Sequence, residues 1–163
     1  MDFMHDLYLR RAQNELNLSL IILKISDNKD LQISTFGMKQ DTYYSAAISH
    51  AYFSIFYAAK AYLMLKGIKT EAPEEHRKTF DAFSKLVETG VIDVELLKIY
   101  REMFVKADAL LQIFEREKGK RGKFTYRRIS QANREPATES VNNAKFFYKN
   151  MFELCEKIKS RQL

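Results

Sequence analysis

Residues 41–67 read DTYYSAAISHAYFSIFYAAKAYLMLKG, and this stretch decides the fold. Asp41 suits a helix N-cap, and Gly67 suits a stop after Leu65 or Lys66. Between them the apolar side chains point nearly all round, through Tyr44, Ile48, Tyr52, Ile55, Phe56 and Leu63. A helix apolar on every side is the central, most buried member of a bundle. No formal charge occurs from Tyr43 to Ala59, which raises the question of a membrane span. Four Tyr, three Ser and His50 interrupt that run and Lys60 ends it, so it reads as a protein core helix and no membrane partner is expected.

Working outward, residues from Asp2 to about Asp27 form a first helix. Phe3, Leu7, Leu18, Ile21, Ile22 and Ile25 recur at helical spacing, and Leu16, Leu20 and Leu23 widen the stripe. Leu31 to Gln40 reads as a loop with one irregular turn. Beyond Gly67, Pro73 suits the first turn of a shorter third helix, with Glu74 and Glu75 near its positive end. That helix buries Phe80, Phe83 and Val87 and ends at Gly90. Asp93 caps a fourth helix with the stripe Leu96, Tyr100, Met103, Ala107, Leu110, Phe114. Asn133 caps the last, with Pro136 in its first turn and a stripe running from Ala137 and Val141 to Cys155 and Ile158. The 4-3 alternation in both is that of helices packed at shallow angles. The expected fold is all-α: an up-and-down bundle of about five helices, in one domain spanning 1–163.

Composition narrows the function classes. A chain of 163 residues with one Cys, five Gly and two Pro excludes a disulfide scaffold, a Cys-based zinc module, a collagen and a multidomain enzyme. The start, Met-Asp-Phe-Met-His-Asp, lacks the pattern of a signal peptide, so a cytoplasmic location is expected. With 12 Phe and 9 Tyr, a bundle this small has more aromatic surface than one copy hides, which favours a homodimer.

Charge is concentrated. Of the formal net charge of +6, residues 116–134 carry eight bases and one acid, 8 − 1 = +7, leaving 6 − 7 = −1 for the remainder. Such a segment either attracts a polyanion or is a solvated loop that keeps the chain soluble. For nucleic acid the expected contacts are Arg121, Lys123, Arg127 and Arg128, with Tyr126 to stack on a base.

Most catalytic constellations are absent. The sequence has no phosphate-binding Gly-rich loop, no Glu-x-x-His pair and no His-Glu-x-x-His, so no metal and no cofactor are expected. Cys155, on an apolar stripe, reads as a small buried hydrophobe. Tyr43, Ala47, His50, Ser54, Tyr57 and Ala61 form a polar edge on the second helix. That edge is either a groove for a nucleotide or RNA phosphate, or an internal hydrogen-bond network that fixes helix register. The candidate catalytic residues are His50, His76, Arg101 and Asp108, the last two seven apart and on one face of the fourth helix.

The helix from Tyr43-Tyr44-Ser45-Ala46-Ala47 through Tyr57-Ala58-Ala59-Lys60-Ala61-Tyr62-Leu63 resembles the signature helix of the HEPN (higher eukaryote and prokaryote nucleotide-binding) domain family. Gly67 and His76 follow at the family's spacing. Lys106-Ala107-Asp108 and Arg134-Glu135-Pro136-Ala137 with Asn143-Ala144-Lys145-Phe146-Phe147 continue the resemblance, over roughly residues 1–160. The resemblance implies a five-helix bundle, a side-by-side homodimer, and RNA, a nucleotide or a nucleotidyltransferase-like antitoxin as partner. Many members are metal-independent ribonuclease toxins with an Arg-x(4–6)-His site. Here Tyr43, Tyr44 and Ser45 stand at that interval before His50, and Lys69, Thr70 and Glu71 before His76; nothing precedes His5 at that interval. The expectation is therefore a non-catalytic HEPN-like binding protein. The alternatives are a ribonuclease with a rearranged site, using His50 or His76 with Arg101 or Arg128, and a purely structural assembly module.

Overall fold

A computed structural model describes residues 3–117 and 133–161. The described residues form six helices and no strand: α1 (Met4–Ser26), α2 (Lys29–Phe36), α3 (Tyr44–Leu65), α4 (Glu75–Glu88), α5 (Val94–Glu117) and α6 (Arg134–Ser160). The fold is an all-α helical bundle, with one short helix more than the sequence indicated.

The helix that dominates the sequence also dominates the packing. Of the 22 residues of α3, 14 are buried, and they lie on every side of it. α1, α4, α5 and α6 all pack on α3, with α1 making the most extensive contact. Five alanines of α3, Ala47, Ala51, Ala58, Ala59 and Ala61, are buried and let neighbouring backbones approach closely. The stripes of the two later helices fall where their spacing places them. Leu96, Tyr100, Met103 and Ala107 of α5 are buried, as are Ala137, Val141, Ala144, Met151 and Cys155 of α6. The Phe114 side chain lies outside the described residues.

α1 corrects the sequence reading. Its buried apolar residues are Leu9, Ala12 and Leu16. Phe3, Leu7, Leu18 and Ile21, which the helical spacing places on the core stripe, are exposed. A helix with apolar side chains on two faces has a clear period but an ambiguous inward direction.

The segment 31–40 is likewise not simply a loop. Asn28 caps α2, its side-chain oxygen accepting the Leu31 N–H at 2.9 Å. α2 buries only Gln32, so it has no apolar stripe to announce it. The Gln32 amide instead ties three backbone groups. Its Nε2 donates to the carbonyls of Ile25 (2.6 Å) and Asp41 (3.0 Å), and its Oε1 accepts the Asp41 N–H (2.9 Å). Gly37, at φ 61°, closes the helix in the left-handed conformation, with Met38 N–H donating to the Gln32 carbonyl at 3.0 Å.

Two expected caps move. Asp41 does not cap α3: its carboxylate accepts the N–H of the adjacent Thr42, and the helix starts at Tyr44. The Tyr43 N–H is bound instead by Ser26 Oγ at 2.8 Å, a hydroxyl 17 residues away. Pro73 precedes α4 rather than opening it; the Ala72–Pro73 bond is cis and Glu74 is the N-cap in the left-handed region. Phe80, expected in the core, is only partly buried, whereas Phe83 and Val87 are buried. Asp93 does cap α5, its Oδ1 accepting the Glu95 N–H at 2.9 Å.

Candidate functional site: a polar seam across the central helix

A helix buried on every side cannot carry a charge or an imidazole without supplying it a partner. His50 and Lys60 of α3 find theirs on α1 and α4. His50 Nδ1 lies 2.6 Å from Oε2 of Glu15, a buried carboxylate of α1, and Arg11 Nε donates to the other oxygen at 2.9 Å. The Arg11 guanidinium also sits 5.3 Å above the Tyr57 ring, which stacks on Tyr8.

Ten residues further along α3, the buried Lys60 ammonium donates to Glu75 Oε1 on α4 and lies 4.7 Å above the Tyr8 ring. Burial disfavours its charge, but hydrogen bonds to Glu75 and Tyr8 outweigh that, and its pKa is raised.

His76 neighbours this pair on α4. Its ring stacks on Phe56 at 4.0 Å, and its Nδ1 is 2.9 Å from the Tyr52 hydroxyl. Burial lowers its pKa below 6.5, Lys60 lowers it further, and Glu75 partly opposes them, so the imidazole is neutral at pH 7. The Tyr52 phenol is held well above its ordinary value by burial and by the carboxylate of Asp108 on α5.

The four candidate catalytic residues therefore divide. His50 and His76 flank one ring, Phe53, at centroid distances of 6.2 and 6.0 Å. Asp108 acts on Tyr52 and so on the His76 end of the seam. Arg101 is exposed on α5, and none of the contacts of either histidine described above involves it. Along the polar edge of α3, His50 meets Glu15 and Tyr57 meets Arg11 and Tyr8, all on α1, whereas Ser54 Oγ is buried with no hydrogen-bond partner among the described residues.

The sequence pointed to His50 and His76 but missed Arg11, Glu15, Lys60 and Glu75. Lys60 was the available signal, a lone charge inside an otherwise apolar helix. Cys155 matches its reading: it is buried, and its thiol pKa is pushed up to about 12 by burial. Among the described residues no three His, Cys, Asp or Glu side chains gather as metal ligands, and no helix is long and apolar enough to cross a membrane. Arg121, Lys123, Tyr126, Arg127 and Arg128 lie outside the described residues. Arg134, the last base of the 116–134 segment, pairs with Asp27 at 3.0 Å.

The chain matches no protein-family model, no curated protein and no solved structure.

Proposed function

We propose that this chain is a non-catalytic, HEPN-like homodimeric protein that binds single-stranded RNA through its basic segment. The observation that carries the reading is the charge distribution, +7 within residues 116–134 against −1 for the remainder. A surplus of that size on 19 residues neutralises several phosphates, and Tyr126 among the bases supplies a ring for stacking. The non-catalytic part is supported by the engagement of both histidines. His50 is held by a buried carboxylate and His76 by a phenol, rather than paired with an arginine that would stabilise a phosphorane.

The test is binding of a fluorescein-labelled oligouridylate by the purified chain. The Arg127→Ala/Arg128→Ala variant is expected to bind at least about tenfold more weakly. Equal binding by variant and parent would refute the assignment to this segment.

A metal-independent ribonuclease is favoured by one observation, the half-buried His76 beside the Tyr52 hydroxyl, where burial disfavours the charged form and suits the ring to take a proton. Labelled RNA cut in the presence of EDTA, and left intact by His76→Ala, would establish that reading instead.

A further inference from the structure

The outward face of α1 carries what its inward face should. Phe3 is 68 % exposed, Leu7 55 %, Ile21 53 % and Leu18 40 %. Of the 14 large hydrophobics exposed among the described residues, nine lie between Phe3 and Tyr43, so the uncovered apolar surface belongs to α1, α2 and the turn into α3. A face of this kind on a folded domain is a contact surface.

The order of residues along it says what it contacts. The line along this face runs from the N-cap Phe3 through Leu7, Arg10, Asn14, Leu18 and Ile21 to the half-buried Ile25. The steps are 4, 3, 4, 4, 3, 4, which read the same in both directions about Asn14. Two such helices laid antiparallel around a two-fold axis at Asn14 match position for position. Phe3 then faces Ile25 of the second copy, Leu7 faces Ile21, Arg10 lays its alkyl stem over Leu18, and Asn14 meets its own symmetry mate. This is the condition an isologous contact imposes, since each side must complement itself. A side-chain amide is both donor and acceptor, so two Asn14 side chains satisfy each other only in this register, as a buried Asn does in a coiled coil.

A second feature fits the same arrangement. Ile25, opposite Phe3, forms part of an apolar groove of about 320 Å³ with Ile22, Phe36, Met38, Tyr43 and Ala46. The pairing delivers the most exposed side chain of the stripe, Phe3, to the mouth of that groove.

We infer that α1 is the homodimer surface: two copies pair antiparallel through their first helices about Asn14, with Phe3 of each entering the groove beside Ile25 of the other. This rests on the homodimeric part of the reading above and is independent of RNA binding.

The test combines analytical ultracentrifugation of the full chain with oxidative cross-linking. Asn14→Cys is expected to form an intermolecular disulfide rapidly. Leu7→Cys alone is not, because its symmetry mate lies about 21 Å away along the axis. Leu7→Asp/Ile21→Asp, two exposed positions, is expected to weaken self-association about 100-fold or more. If that double variant does not fold, the cross-linking contrast decides alone. A dimer unchanged by the two aspartates overturns this surface and leaves the homodimer reading standing. A parent chain that stays monomeric as protomer concentration is raised overturns both.

Discussion

Glu15 and His50, 35 residues apart in the chain, meet at 2.6 Å across the α1–α3 contact, the most extensive in the bundle. Because the carboxylate is buried, its partners fix how α1 sits on the central helix. Glu15→Ala is expected to cost about 1–3 kcal/mol in urea unfolding, since the half-buried His50 imidazole and the Arg11 guanidinium lose their acceptor. A double-mutant cycle with His50→Ala should return a coupling of about 0.5–3 kcal/mol. A coupling near zero would mean that the two side chains do not act on each other.

Lys60 and Glu75 should respond asymmetrically. Glu75→Ala leaves a buried ammonium without its carboxylate and is expected to destabilise the fold by about 1–3 kcal/mol, moderated by the partial exposure of Glu75. Lys60→Met replaces the buried charge with an apolar chain of similar length and is expected to be neutral or stabilising. Thermal melts of the two variants check the order; Lys60→Met as the more damaging change would contradict it.

His76 gives stability a pH dependence of definite sign. Its folded pKa is lowered by burial and by Lys60, so the unfolded chain takes up a proton more readily than the folded one. Its contribution is therefore complete above 6.5, declines as pH falls through 6.5, and stops changing below the folded value. His76→Phe keeps the stack on Phe56 and cannot titrate, so it should flatten the decline. Asp6 and Asp27, also lowered, act in the same direction, but only below about 3.8, and do not blur this window. Unfolding free energies measured from pH 7.5 down to about pH 5 make the comparison.

Gln32 is the buried residue of α2 and ties it to Ile25 and Asp41. Gln32→Leu fills the same space but strands the Ile25 carbonyl and both backbone groups of Asp41, and is expected to cost about 2–4 kcal/mol. Hydrogen exchange should rise through α2 in this variant while the α3 amides stay protected. Unchanged protection at Asp41 would contradict the role given to Gln32.

How far the sequence leads depends on which force shapes each element. Where burial decides, the pattern is legible: the all-round apolar α3 and the 4-3 stripes of α5 and α6 sit where their spacing puts them. It fails where a polar side chain from elsewhere decides. The start of α3 is set by Ser26 and Gln32 rather than by Asp41, and α2 buries one amide rather than an apolar stripe. On α1 the pattern gives the period but not the inward direction, because apolar residues occupy both faces. The candidate site divides in the same way. His50 and His76 stand out as residue types, but Glu15 and Glu75 become partners only through the packing of α1 and α4 on α3.

If the basic segment contacts phosphates, oligouridylate binding weakens steeply as salt rises. On a plot of log K against log salt concentration, the parent chain is expected to give a steep negative slope. Arg127→Ala/Arg128→Ala should be shallower by about 1.4, the loss of two phosphate contacts on a single strand. Binding that does not change with salt, or identical slopes for parent and variant, would mean that Arg127 and Arg128 do not contact phosphates.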